Sequence, residues 1–541
     1  MPFLKIEQKS SGTYLRITES YRDDEGKSRH RILHNLGKVN DYSPEQLRSI
    51  GLKLFELGGG EVRAMLSGTI EELGRYNYGY QQVYKKALRH YGLDSLLERI
   101  RRKHTLSYNF SDAVLLMLLE RLQEPGSKRS NYIHQTDYAA LEPVYLQHLY
   151  RSLDKLADYN ELIQTQIFQT GRDIFNLHLD VVFYDVTTLY FESSQESDEE
   201  NKQLRKKGFS KDGKVGDTQV LFSMMIDKDK NPVGYQIFKG NTYEGHTLPE
   251  AIKVLKKRYA IDKIIIVADR GMMSKVNIEA VTDSGFEFIV GDRLKNMPSA
   301  VQEKLLDIKN YECDWIYTDN DQEQVKVRYT TLPYKGKTII ATYSEKRARK
   351  DRHDRENLLA KSAVMIARPE LVEKKASRYF LKKTEQQKYE LDNERIKAIE
   401  RFDGFLAIST NNTDLDTILL LDQYKQLFKI EHCFRSFKSN LEMRPMFHWT
   451  DKRIEGHICL CYIAYTLQHY VLQKLQKLPT PITENILREM LDKMQISLLQ
   501  HNNEQVYLRS SPQAHETQMQ QLLSIKPLPP MLSKAQLLNY I

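Results

Sequence analysis

A chain of 541 residues has length for about three or four domains and for a large buried core. Its 40% hydrophobic and 28% charged residues exclude an intrinsically disordered chain and a membrane-embedded one. Lys and Arg outnumber Asp and Glu by 80 to 72, a formal charge of +8, which permits a nucleic-acid partner without establishing one. The four cysteines, Cys313, Cys433, Cys459 and Cys461, include no C-x-x-C pair, which argues against a disulfide framework and a structural zinc site. No basic-then-apolar leader opens the sequence, and the most apolar span, 458–467, falls short of the roughly 20 residues that cross a bilayer. A cytoplasmic protein is expected.

In chain order, residues 14–21 and 30–34 flank the polar turn Asp23-Asp24-Glu25-Gly26-Lys27 and read as a hairpin. Ser43-Pro44-Glu45-Gln46 opens a helix, with Ser as N-cap, Pro at the first helical position and Gln three residues beyond the Ser. It stops before Gly58-Gly59-Gly60, which lacks the Lys-Ser/Thr of a phosphate loop and reads as a linker. Residues 76–175 carry a helical pattern throughout. Their basic cluster Arg99-Ile100-Arg101-Arg102-Lys103-His104 is a candidate for reading DNA, although a solvated helix face is the commoner meaning of such a run. Strands are expected over 181–191, 219–226 and 233–238, then a helix over 248–259, a strand over 263–269, a helix over 274–284 and a strand over 286–290. The short turn between the second and third strands implies antiparallel pairing, and each helical crossover adds a parallel strand. That is the order of an RNase H-like core. Residues 291–401 interrupt it with strand-like pieces and a highly charged helix over 345–361. A strand over 404–410 and a long helix from near Asp422 follow.

The expected organisation is therefore α/β. A hairpin-plus-helical DNA-binding region occupies 1–175, and an RNase H-like mixed-sheet core occupies 176–290 and 402–478. A strand-rich insertion occupies 291–401 and a helical tail 479–541.

Carboxylates interrupt this core at two telling places. Asp185 lies inside the first core strand, a costly position for a charge unless something compensates it. Asp269 ends the apolar run Ile264-Ile265-Ile266-Val267-Ala268, just before Arg270-Gly271. In an RNase H-like sheet these strands are neighbours, so the two carboxylates converge. Like charges that close repel unless a cation sits between them, and an all-oxygen donor set favours Mg²⁺ or Mn²⁺ over zinc. In the late helix, Tyr424, Glu431 and Lys438 are each seven residues apart, which returns them to within about 20° of one direction. Ile430, Phe434, Phe437 and Leu441 form an apolar stripe beside them. Singly, each acid has a plainer reading: Asp269 as a turn or cap residue, Glu431 as the charged flank of an amphipathic helix. Gly240-Asn241-Thr242 likewise reads as a turn.

Together, Tyr184-Asp185-Val186-Thr187, Val267-Ala268-Asp269-Arg270-Gly271-Met272 and Tyr424-x2-Leu427-x3-Glu431-x6-Lys438 resemble the DDE transposases of bacterial insertion sequences, in the branch with a Y-x2-R-x3-E-x6-K signature. Phe209-Ser210-Lys211-Asp212, Gly240-Asn241-Thr242 and the long insertion before Glu431 are also similar to that branch. Leu427 stands where the signature has Arg, so no role for an arginine carries over. The resemblance implies a nucleoid-associated protein that binds the terminal inverted repeats of its own element, cuts there and joins the ends to new double-stranded DNA. Asp185, Asp269 and Glu431 would be catalytic and hold two Mg²⁺ or Mn²⁺ ions for an in-line displacement. Tyr424 and Lys438 would bind the DNA backbone, and a homodimer would act on paired ends. Two other readings stand beside it. His432-x-x-Arg435 with Tyr462 or Tyr465 echoes tyrosine recombinases, and a domesticated copy would bind DNA without cutting it.

Overall fold

The structure is a computed structural model and describes residues 2–58, 70–171, 180–196, 203–209, 216–272, 274–319, 323–367, 379–384, 388–501 and 504–541. It divides into two compact units, residues 1–71 with 500–504, and the remainder. In the first, β1 (Pro2–Lys9), β2 (Gly12–Arg22) and β3 (Ser28–Lys38) form an antiparallel sheet in chain order. The expected hairpin is β2–β3, closed by Asp23 N donating to Lys27 O at 3.0 Å. Strand β1 joins it along all eight of its residues. Helix α1 (Pro44–Leu57) begins as its capping box requires. Gln46 N donates to Ser43 Oγ at 3.3 Å, and Ser43 N donates to Gln46 Oε1 at 2.8 Å.

In the second unit, β4 (Ile70–Tyr76) leads into six helices, α2 (Tyr78–His90), α3 (Leu93–Lys103), α4 (Phe110–Gln123), α5 (Lys128–His134), α6 (Leu146–Asp158) and α7 (Asn160–Thr170). Helix α4 is apolar nearly all round and is buried from Ala113 to Leu122, as such a helix must be. The basic cluster forms the last turn of α3, where Glu98 pairs with Arg101 at 3.3 Å and Arg102 at 3.0 Å.

One charge in this layer is costly. Lys128 is 3% exposed and donates to Asn131 Oδ1 at 2.8 Å. Burial, and then Arg121, push its ammonium down to about 7, against Cys461 and Glu120. The unfolded side chain keeps its proton to about pH 10. From about 7 to 10 the unfolded state therefore binds more protons, so stability rises with pH; below about 7 the full cost of the buried charge persists. Lys128→Met is expected to flatten that rise and to raise the urea midpoint at pH 7, read from unfolding curves at several pH values.

The main sheet contains β5 (Val181–Tyr190), β6 (Lys206–Lys207), β7 (Thr218–Ile226), β8 (Pro232–Lys239), β9 (Ile265–Ala268), β10 (Glu287–Asp292), β11 (Cys313–Thr318), β12 (Gln324–Tyr334), β13 (Lys337–Tyr343) and β16 (Phe405–Thr410). Its order is β11-β12-β13-β16-β10-β9-β5-β7-β6, with β8 also on β7. The ribbon β14 (Leu381–Lys383) and β15 (Tyr389–Leu391) stands apart. Strands β5, β9 and β10 are parallel, while β7 is antiparallel to β5 and β8 to β7. Both faces of the central strands are buried, which is why they read as continuous apolar runs. One face (Val182, Tyr184, Val186, Ile266, Phe288) shares a core with α8 (Leu248–Lys253) and α9 (Lys275–Asp283). The other (Phe183, Leu189, Val267, Ile289) shares the large core of the N-terminal helices.

Within 291–401, α10 (Ser299–Leu306), α11 (Glu345–Ala367) and α12 (Asn393–Glu400) accompany the strands. Strands β11–β13 do not fold back into a separate layer. They extend the main sheet, because β16 pairs with β10 on one side and β13 on the other, which satisfies backbone groups an edge would leave open. After β16 come α13 (Thr417–Lys425), α14 (Phe428–Arg435) and α15 (Asp451–Leu475). Helix α15 crosses α6 so closely that a Cβ at Gly456 would lie 2.0 Å from Leu153 O. The tail adds the strands Ile496–His501, Glu504–Arg509 and Met531–Leu532 to its helices. No helix among the described residues is long and apolar enough to cross a membrane.

Candidate active site

Strand register brings the two aspartates together. In the parallel β5/β9 pair the last matched residues are Tyr184 and Ala268, so Asp185 and Asp269 occupy the next level on adjoining strands, about 4.8 Å apart in backbone spacing. In β9/β10 the last pair is Ala268 and Val290, which sets Gly291 at that same level. Alternation puts Asp185 on the face of Phe183, the side of the large core, and Asp269 follows Val267 to the same side. Asp185 is half-buried and Asp269 exposed. Asp185 Oδ1 accepts Val186 N at 2.7 Å.

Helices α13 and α14 cover this level. Helix α13 packs on β9 and β10, and α14 on β5 and β7. The apolar stripe behaves as expected: Ile430, Phe434, Phe437 and Leu441 are all buried, with Phe434 and Phe437 edge-on to Phe222 of β7. Glu431 is exposed beside that stripe. The long helix expected from Asp422 is instead broken. Residues 426–430 are tightened into three-residue turns, with Leu427 N donating to Tyr424 O at 3.1 Å and Ile430 N to Leu427 O at 3.2 Å. The segment Ser436–Asn440 is a π turn, a form that recurs at functional sites. Its extra residue per turn rotates half-buried Lys438 off the straight stripe a continuous α-helix would make. Leu427 explains its own identity: it is 9% exposed and lies in the large core, where a guanidinium would lack solvent.

Tyr424 ties the acids together electrostatically. Burial and the carboxylate of Asp269 hold its phenol far above the ordinary range, with Arg270 and Arg347 opposing and Glu431 adding to the rise. It is therefore protonated and lies within electrostatic reach of both acids. Gly291 makes its place, since a Cβ there would lie 2.5 Å from Tyr424 Oη and 3.0 Å from Arg270 N.

Sequence patterns did not disclose the supports. Trp315 Nε1 of β11 donates to Asp422 Oδ1 at 2.9 Å. Lys425 Nζ donates to Thr318 O at 2.9 Å and lies 3.4 Å from the centre of the Tyr317 ring. The insertion thus grips α13. From the other side, buried Arg121 of α4 donates to Leu441 O at 3.2 Å and Glu442 O at 3.4 Å, holding the chain just past the π turn. Only the glycine ending the apolar strand 286–290 carried a signal, as a place of close approach.

Gly240-Asn241-Thr242 follows β8 as a turn. Phe209 is exposed, while Ser210, Lys211 and Asp212 lie outside the described residues, as do Gly59 and Gly60. Tyr462 and Tyr465 are buried on α15, and Tyr465 Oη donates to Lys230 O at 3.2 Å. Neither phenol can meet a phosphate as placed, which removes the structural basis for a tyrosine nucleophile.

Among the described residues no three His, Cys, Asp or Glu side chains form a ready metal-binding group. The donor chemistry of Asp185, Asp269 and Glu431, all oxygen and reachable from solvent, suits a hard divalent cation.

A mixed sheet with two aspartates at one level, under a helix carrying a glutamate, is the arrangement of a DNA-processing domain of the DDE class. The family model described as "Transposase DDE domain" matches residues 177–467, more than half of the chain, and "IS1634 family transposase, N-terminal domain" matches residues 4–59. The chain belongs to the DDE transposases of insertion sequences. Among curated proteins, none matches it.

Proposed function

We propose that this transposase binds the terminal inverted repeats of its own element, cleaves the DNA there and transfers the freed strands to target DNA, as a homodimer on paired ends. The observation that carries the reading is the single level shared by Asp185 and Asp269 on adjoining parallel strands, with the Glu431 helix packed on the same strand as Asp185. The order β10-β9-β5-β7, three parallel strands and an antiparallel neighbour, supports an RNase H-like core. Asp185, Asp269 and Glu431 would hold Mg²⁺ or Mn²⁺, which would sharpen a water or 3′-hydroxyl nucleophile and stabilise the leaving oxygen. The neutral phenol of Tyr424 donates to an oxygen of the scissile phosphate. Lys438 contributes charge to the flanking backbone.

The test is a linear duplex carrying the DNA on both sides of the coding region, incubated with the protein and Mg²⁺ or with a chelator. Cleavage at short inverted repeats in Mg²⁺ alone, leaving free 3′-hydroxyls, is the expected result. Binding without cleavage would instead establish a domesticated DNA-binding protein, and a covalent protein–DNA adduct would overturn the metal mechanism.

A further inference from the structure

Helix α11 breaks two local rules at once. Its residues 346–353 hold five Lys or Arg and one Asp, in the first turns of a helix, where the macrodipole disfavours cations. Lys346, Arg349, Lys350 and His353 follow i, i+3, i+4, i+7, and all four are exposed, so Lys346 faces the like charges of Arg349 and Lys350 at spacings that destabilise a helix. The opposite face is anchored. Ala348, Arg355, Ser362 and Met365 are buried, Arg355 pairs with Asp403 and, at 3.1 Å, with Glu400, and Asp351 accepts Gly404 N at 3.0 Å.

An ordinary solvated helix alternates its charges. Here only the start of the run is answered: Lys346 pairs with Asp319 at 2.5 Å and Glu323 at 3.4 Å, and Arg347 with Asp351 at 3.6 Å. Arg349, Lys350 and Arg352 have no ion-pair partner among the described residues. The stripe lies at the same end of the sheet as the candidate active site: Asp351 of α11 holds Gly404 N, and four residues on, Ile408 of β16 pairs with Gly291. Broken local rules on a rigidly held element mark a functional surface.

We propose that the Lys346–Arg349–Lys350–His353 face of α11, at the same end of the sheet as the carboxylates, is a binding track for the phosphate backbone of duplex DNA. It rests on the transposase reading and extends it to a surface of the insertion. Seven residues of helix span roughly 10 Å, about three phosphates of one strand along the duplex axis. The contact is to backbone and reads no sequence.

The full chain is titrated onto a fluorescent duplex of arbitrary sequence, about 40 base pairs long, at several salt concentrations between about 50 and 200 mM. Arg349→Gln with Lys350→Gln is expected to make the log–log salt slope shallower by about 1.8, two contacts at roughly 0.9 each. The free variant should melt no lower than the wild type, since like-charge crowding is relieved. Arg349→Lys with Lys350→Arg should restore the slope. An unchanged slope in the Gln variant, with the wild type binding normally, overturns the track alone. Absence of salt-dependent binding by the wild type overturns the DNA reading itself and the track with it.

Discussion

Replacing Asp185 or Asp269 by Asn, or Glu431 by Gln, is expected to abolish strand cleavage while leaving DNA binding and folding intact. Each amide keeps the shape of the acid and a carbonyl oxygen, so the Asp185→Asn variant can still accept the Val186 amide that Asp185 accepts at 2.7 Å. Each variant loses the negative charge that a hard cation requires. Charge stabilisation by a bound cation contributes several kcal/mol to the transition state, so the loss is roughly 10³-fold or more in rate. Binding to an end duplex, made largely through the backbone, should change little. A second readout separates this from general damage. Asp185 and Asp269 share one level on adjoining strands, and like charges facing each other across strands are destabilising. The two Asp→Asn variants should therefore melt at or above the wild-type temperature without metal, and divalent cations should raise the melting temperature of the wild type more than theirs. Any of the three variants that cut at the wild-type rate would strike its residue from the site.

The second large effect is expected at a residue with no side chain. Gly291→Ala places a methyl group 2.5 Å from Tyr424 Oη and 3.1 Å from Arg270 Cβ, in a region where α13 packs against β9 and β10. Overpacking of this kind costs about 1–3 kcal/mol. The phenol must give way, and with it the helix register that aims Tyr424 and Glu431. A displacement near 1 Å in a catalytic array costs on the order of 10²-fold in rate. Tyr424→Phe removes the atom that clashes. If the account is right, Gly291→Ala with Tyr424→Phe recovers most of the stability lost in Gly291→Ala, and the double-mutant cycle gives a coupling of about 1 kcal/mol or more. Additive losses in melting temperature would show that the glycine serves some other end.

Local chemistry alone made several elements legible. Ser43 and Gln46 cap α1 as their spacing implies, and the turn at Asp23–Lys27 closes a hairpin, because both depend on contacts within a few residues. The apolar runs of β5, β7 and β9 declared strands, and the stripe Ile430, Phe434, Phe437 and Leu441 declared the buried side of a helix. The acids were conspicuous for the same reason: a charge inside or ending an apolar run is costly and asks for an explanation. The break at Leu427 was not legible. A leucine at that spacing fits a continuous helix equally well, and only the position of the large core decides that its side chain turns inward and tightens the backbone. The insertion looked like a subdomain because its strands interrupt the core in sequence, yet hydrogen bonds between β13 and β16 carry them into the main sheet.

The amino-acid sequence by itself determined most strands and helices of the core, where charge interrupts them, and hence the class of chemistry this transposase carries. It did so because propensity, capping and alternation act over a few residues. Tertiary structure alone decided that Asp185, Asp269 and Gly291 share one level, that Tyr424 fills the space Gly291 leaves, and that Arg121 and Trp315 hold the α13–α14 segment from opposite sides. Those are outcomes of strand register and of packing between residues dozens to hundreds of positions apart, where many pairings satisfy the same local pattern and the burial of one shared core selects among them.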